Sequence, residues 1–209
     1  MAKSNYAQSD GLALLQEIMA QAGPIFTISE ARMVAEDARI SASQVPLLLH
    51  RLASGAWIAR LKQGVYIIQT PLLSHDTHPY AVAQALLDPM AISHWSALAH
   101  HGLTTQIPPV IQASTPRSVV TPQTRKGKTY KPRGYPVWQV LDLEVEFIHV
   151  KESHYFGHQH EWVDRWHRVP ITDLERTILD MIAHPGCLEL CKPDWKQPKN
   201  TCQDWTSRS

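Results

Sequence analysis

The stretch Trp57-Ile58-Ala59-Arg60-Leu61-Lys62-Gln63-Gly64-Val65-Tyr66-Ile67-Ile68 decides how the N-terminal part of this chain is read. Alternating residues flank a tight turn at Lys62-Gln63-Gly64, where glycine supplies a positive φ, so the run predicts a β-hairpin. Working back from it, Val45, Leu48, Leu49 and Leu52 recur at helical spacing. Gln44, Leu47, His50 and Arg51 then fall on the opposite face, and Gly55 ends the helix. Ser43 is the expected cap, because that register leaves Pro46 in the first turn, where no intrahelical N–H bond is lost.

Two more helices precede this one. Leu12, Leu15, Ile18 and Met19 mark a helix over 10–22, capped by Asp10 and stopped by Gly23-Pro24. Ile25-Phe26-Thr27 is a short extended link. Ser29 is the expected cap of the next helix, with Ala31, Val34 and Ala35 inward and Arg32, Glu36 and Asp37 outward. Three short helices followed by a hairpin with basic residues at its tip predict a winged helix-turn-helix over 10–70. In that arrangement the third helix enters the major groove of double-stranded DNA and the wing meets phosphates or the minor groove. The expected DNA-binding residues are Ser43, Gln44, Leu47, His50, Arg51, Arg60 and Lys62. Arg51, Arg60 and Lys62 supply charge, and Gln44 and His50 suit base edges. A winged helix used only to dock protein is the alternative. It stays open because Lys3, Arg32, Arg39, Arg51, Arg60 and Lys62 are nearly balanced by Asp10, Glu17, Glu30, Glu36 and Asp37.

Composition sets the frame. The chain has 209 residues, 44% of them hydrophobic, and a net charge of +1. That supports a folded core in one or two domains, and any DNA affinity must come from local basic clusters. Cys187, Cys191 and Cys202 form no disulfide framework, which suits a reducing compartment. No signal peptide or bilayer-spanning run is apparent, so no membrane partner is expected and the expected location is cytoplasmic.

Pro71 to Pro79 is a polar stretch that marks the expected boundary with a second, mixed α/β domain over 80–186, giving an α+β chain overall. A helix is expected from Tyr80 to Leu87, then another over Trp95 to His100, capped by Ser93 and followed by Gly102. Val110–Ala113, Leu143–Val150 and Arg168–Ile171 read as strands. Thr172-Asp173-Leu174-Glu175 reads as a capping box for a helix through Ile178, Leu179 and Ile182, ending at His184-Pro185-Gly186. Between these elements, Arg117, Arg125, Lys126, Lys128, Lys131 and Arg133 have no acid among them. They form either a solvated loop or a second basic patch for phosphate or an acidic partner. Residues 187–209 show no convincing periodicity and read as an atypical, disordered tail that shortens the second domain.

Chemistry is sparse. His154, His158 and His160 with Glu161 are the densest potential metal set, but Gly157 interrupts them and no HExxH is present. There is no phosphate-binding glycine loop and no nucleophile elbow. Asp142, Glu144 and Glu146 with Lys151 raise the alternative of a metal-dependent nuclease targeted by the winged helix. A solvated strand face with alternating charge explains them as well. Asp173, Glu175, Arg176 and Asp180 read as cap, dipole partner and exposed polar face. No catalytic residue, metal or cofactor is assigned, and the chain is not expected to be an enzyme.

The wing Ile58-Ala59-Arg60-Leu61-Lys62-Gln63-Gly64-Val65-Tyr66 is followed by Ser93-His94-Trp95-Ser96-Ala97-Leu98-Ala99-His100-His101-Gly102-Leu103. Val169-Pro170-Ile171-Thr172-Asp173-Leu174-Glu175-Arg176-Thr177-Ile178-Leu179-Asp180 comes last. This order resembles the AbiEi family, the antitoxin and transcriptional regulator of type IV toxin-antitoxin (abortive infection) systems, over about residues 10–186. The resemblance implies an N-terminal domain that represses its own operon at operator half-sites. It also implies a second domain that counters a nucleotidyltransferase-type toxin. The chain departs from the family after Gly186, where further elements of the second domain are missing.

Overall fold

The computed structural model describes residues 3–69, 77–122 and 134–183. Among them lie six α-helices and two sheets, a mixed α+β architecture. No helix among the described residues is long and apolar enough to cross a membrane.

The N-terminal elements run α1 (Lys3–Gln21), β1 (Ile25–Thr27), α2 (Ile28–Asp37), α3 (Val45–Ser54), β2 (Ile58–Lys62) and β3 (Val65–Ile68). Leu14, Leu15, Ile18 and Met19 of α1 pack with Ala31, Val34 and Ala35 of α2 and with Val45, Leu48, Leu49 and Leu52 of α3. The link at Ile25–Thr27 does more than connect. It pairs antiparallel with β3, Phe26 opposite Tyr66, and gives a three-stranded sheet of order β1-β3-β2. Gly64 closes the hairpin with φ +76°, a left-handed conformation that costs glycine little.

That small sheet is covered on both faces. Ile58, Ile68 and Phe26 point into the helical core, with Tyr66 beside them. Leu61, Val65 and Ile67 point the other way, into a core shared with the second part of the chain. The alternation read from the sequence is therefore real, but its second face meets protein.

The remaining elements are α4 (Pro79–Leu86), β4 (Ala91–Ile92), α5 (His94–His100), β5 (Ile111–Thr115), β6 (Val137–Val140), β7 (Leu143–His149), a short 3-10 turn at Glu152–His154, β8 (His158–Trp162), β9 (Arg168–Thr172) and α6 (Leu174–Ala183). Six strands form one mixed sheet of order β6-β7-β5-β4-β9-β8. Val145, Phe147, Ala113, Ile92, Val169 and Ile171 line its core with Val82 and Leu86 of α4. The expected helices and strands of this part are present. β4, β6 and β8 are additional, and His158 and His160 of the histidine-rich run lie on one arm of the β8–β9 hairpin.

Several expected caps are relocated. Asp10 lies inside α1, and Leu14 takes the buried place expected of Leu12, which is only half-buried. Thr27, not Ser29, caps α2: Thr27 Oγ1 accepts from Glu30 N at 3.2 Å, while Glu30 Oε2 accepts from Thr27 N at 2.6 Å. Gln44 stands at the cap of α3 without a side-chain bond, and Ser43 Oγ lies 2.8 Å from Ser41 Oγ. Pro46 does fall in the first turn. At α6 the capping acceptor is Asp173 Oδ1, which takes Arg176 N at 2.7 Å. Thr172 is used differently, its hydroxyl 2.8 Å from that of Thr177.

The largest departure is the orientation of α6. Its inward face carries Thr177, Asp180 and Met181, while Leu174, Ile178, Leu179 and Ile182 are 42%, 45%, 56% and 73% exposed. Polar bonding makes this orientation tolerable. Thr177 is held by Thr172 and by the Asp173 carbonyl, and the buried Asp180 carboxylate is paired to Arg176 at 2.8 Å. Asp180 is thus an interior ion-pair partner, not part of an exposed face. Predicted region 187–209 and basic residues Arg125, Lys126, Lys128, Lys131 and Arg133 lie outside the described residues, as does most of the expected boundary at 71–79.

The Thr27–Glu30 reciprocal cap gives the first test. Thr27→Ala should destabilise the fold by about 1 kcal/mol, read as a lower urea midpoint with unchanged slope.

Candidate nucleic-acid interface

Helix α3 separates cleanly into two faces. Val45, Leu48, Leu49 and Leu52 are buried. Ser43, Gln44, Leu47, His50 and Arg51 are all exposed. The apolar spacing of three and four buries one stripe and turns every residue of the expected DNA set on this helix outward.

The hairpin behaves less uniformly. Arg60 is exposed, and its Nε donates to the Lys62 carbonyl at 3.2 Å. That bond folds the guanidinium stem along the strand and leaves the terminal nitrogens at the surface. Lys62 is half-buried, and its ammonium donates to the Leu86 carbonyl at the end of α4, at 3.2 Å. Burial pushes the Lys62 pKa down, and the nearby Asp88 carboxylate opposes that shift. The turn itself is tied to the start of α2, where Ile28 N donates to the Gly64 carbonyl at 2.9 Å. Arg117, the described member of the second basic patch, is exposed.

A second contact joins the N-terminal helices to the large sheet. Trp166, in the turn between β8 and β9, packs against the helical core. Its ring lies where a Cβ on Gly23 would come within 3.1 Å, so this close approach needs glycine at that position. Asp164 holds the turn. Its carboxylate accepts from Trp166 N and His167 N at 2.8 Å each, from His78 N at 3.1 Å, and stands 2.8 Å from His167 Nδ1. His78 in turn caps α4 by accepting from Tyr80 N. Nothing in the local pattern of Asp164-Arg165-Trp166-His167 distinguishes this clamp from an ordinary turn. Only the Asp with main-chain donors two and three residues on hints at it.

The interior of the second part is polar in one place. Ser93, His94, Ser96, Gln112, Ser114 and Glu146 are all buried. Gln112 organises them: its side chain accepts from Trp95 N and donates to Glu146 Oε2, each at 3.0 Å, and its own N–H donates to Ser96 Oγ at 2.9 Å. Ser114 Oγ donates to Ser93 Oγ at 2.8 Å, and Ser93 Oγ lies 2.8 Å from His94 Nδ1. Ser93 therefore occupies the cap position of α5 but spends its hydroxyl on the interior.

The acidic residues considered for nuclease chemistry are not gathered. Glu146 is interior beside Gln112, Glu144 accepts from Gln139 at 2.8 Å, and Asp142 is exposed. Among the histidines, His158 has its pKa lowered chiefly by burial, while Glu161 reaches away to His100 at 2.7 Å. Among the described residues no three His, Cys, Asp or Glu side chains stand together as a metal set would. Comparison with known proteins gives no match to a family model or to a curated protein.

The clamp has a pH signature. Burial opposes ionisation of Asp164, but the His78 and Trp166 N–H groups and the His167 ring outweigh it, so its pKa lies below the ordinary 3.8. A carboxyl depressed in the folded state contributes stability above its unfolded pKa and loses it as pH falls through the folded value. Asp164→Asn should therefore lower stability at neutral pH and show less further loss than the parent below about pH 4. Urea midpoints across that range read the difference; parallel acid limbs would remove Asp164 from the account.

Proposed function

We propose that this chain is a non-enzymatic, DNA-binding transcriptional repressor whose N-terminal unit is a winged helix-turn-helix. The carrying observation is the outward stripe of α3, Ser43-Gln44-Leu47-His50-Arg51, on a helix whose other face is fully committed to the core. The element order helix, strand, helix, helix, hairpin supports this reading, as does β1 lying beside β3. In such a unit α3 enters the major groove, and Arg51 and the exposed Arg60 meet phosphates.

The wider role is that of an AbiEi-type antitoxin and autoregulator, with the second part countering a nucleotidyltransferase-type toxin. Its support is the pair of motifs quoted above. They adjoin in space: His101, at the end of the Ser93–Leu103 motif, donates through Nε2 to the Thr172 carbonyl at 2.7 Å. The Gln112–Glu146 bond and the dispersal of the other acids favour this over a nuclease. Co-expression with the product of the adjacent gene tests the antitoxin role, with rescue of growth as the supporting result.

DNA binding is tested by mobility shift on the region upstream of the chain's own gene. Arg51→Ala and Arg60→Ala should each weaken retention and reduce the log–log salt slope by about 0.9. Parental binding by both variants would turn α3 and β2 away from DNA.

A further inference from the structure

We infer that Leu47 is a specificity residue that reads the 5-methyl group of a thymine. The inference rests on the DNA-binding reading above and assigns what that surface selects.

Leu47 is the large aliphatic residue on the outward stripe of α3, and it is 51% exposed. Neither hydrophobic core takes it in, whereas its neighbours Leu48 and Leu49 are both core residues. Gln44 precedes it by three positions and Arg51 follows by four, so the three side chains share one face. Leu47 lies in the first turn of α3, the end of a recognition helix that meets base edges.

The major groove constrains what such a side chain can accept. Of the four bases, thymine alone presents a methyl there, beside its O4 acceptor. An isobutyl group pressed on N7, O6 or N4 removes water without replacing its hydrogen bond, which costs binding. Against a thymine methyl it buries apolar surface on both partners. Leu47 therefore selects by attraction to thymine and by penalty against the other edges. Gln44, one turn earlier, matches adenine N6 and N7.

Selection from random duplexes supplies the preferred sequence, and each thymine is then replaced singly by deoxyuridine, which removes only the methyl. At one thymine per half-site the parent should bind the deoxyuridine duplex about three- to fivefold more weakly, the worth of one buried methyl-sized group. In Leu47→Ala that ratio should fall to one. Leu47→Gln, polar and helix-compatible, should also lose the methyl preference and select a different base at that position. A preferred duplex with no methyl-sensitive thymine overturns the inference alone, as does sensitivity that survives in Leu47→Ala. Failure to enrich any duplex overturns the DNA reading and this inference together.

Discussion

The rest of the structure depends on the two-sided burial of the β2–β3 hairpin. Ile58, Tyr66 and Ile68 face the three N-terminal helices, and Ala59, Leu61, Val65 and Ile67 face the core of the large sheet. A strand with one wet face would carry polar residues at alternate positions. Val65-Tyr66-Ile67-Ile68 has none with a charge, because no face of β3 is left to solvent. β1 joins the same sheet on the far side of β3, with Ile25 opposite Ile67. The hairpin is therefore where two cores meet. Its register fixes which residues belong to which core, since a slip of one residue would exchange the two sets.

This arrangement bears on the candidate interface. A hairpin attached only through its strands could move independently of the second part. Here the Lys62 ammonium is engaged with α4, Trp166 covers Gly23 below α1, and Asp164 ties that turn to His78 at the head of α4. Each of these three contacts is directional or sterically tight. The exposed stripe of α3 is thereby carried on a support that includes the β8–β9 turn of the large sheet.

What the sequence made legible follows from how much each pattern constrains. The hairpin was readable because alternation and a glycine at the turn agree, and α3 because its apolar stripe is unbroken and Pro46 fixes its start. Caps were harder. Thr27 and Ser29, like Thr172 and Asp173, are all competent acceptors, and the choice between them depends on where the preceding strand ends. β1 ends at Thr27 and β9 at Thr172, so the helices begin immediately afterwards. Of the seven residues expected to meet DNA, five lie outward on or beside α3 and Arg60 is exposed on β2. Lys62 was opaque because its partner, the Leu86 carbonyl, is distant in sequence.

Helix α6 shows why periodicity gives a direction only in the company of a core. Leu174, Ile178 and Ile182 make a regular apolar ridge, and the ordinary inference turns such a ridge inward. The sheet below offers something else: a threonine hydroxyl and carbonyl at Thr172, and room for the Arg176–Asp180 pair. Rotating the helix would carry the Arg176–Asp180 pair with it but would break the Thr177 bonds to Thr172 and leave the buried Thr172 hydroxyl without its partner, a cost set against what burying the aliphatic ridge returns. The polar face is held by directional bonds, Thr177 to Thr172 and Arg176 to one oxygen of Asp180, and not by its hydrophobicity. The same logic explains Glu146 and Gln112, which occupy core positions of β7 and β5 in a pattern that would otherwise read as solvated. In both places a polar residue lies inside because a specific partner is there to meet it, within five residues at α6 and 34 residues away for Gln112 and Glu146.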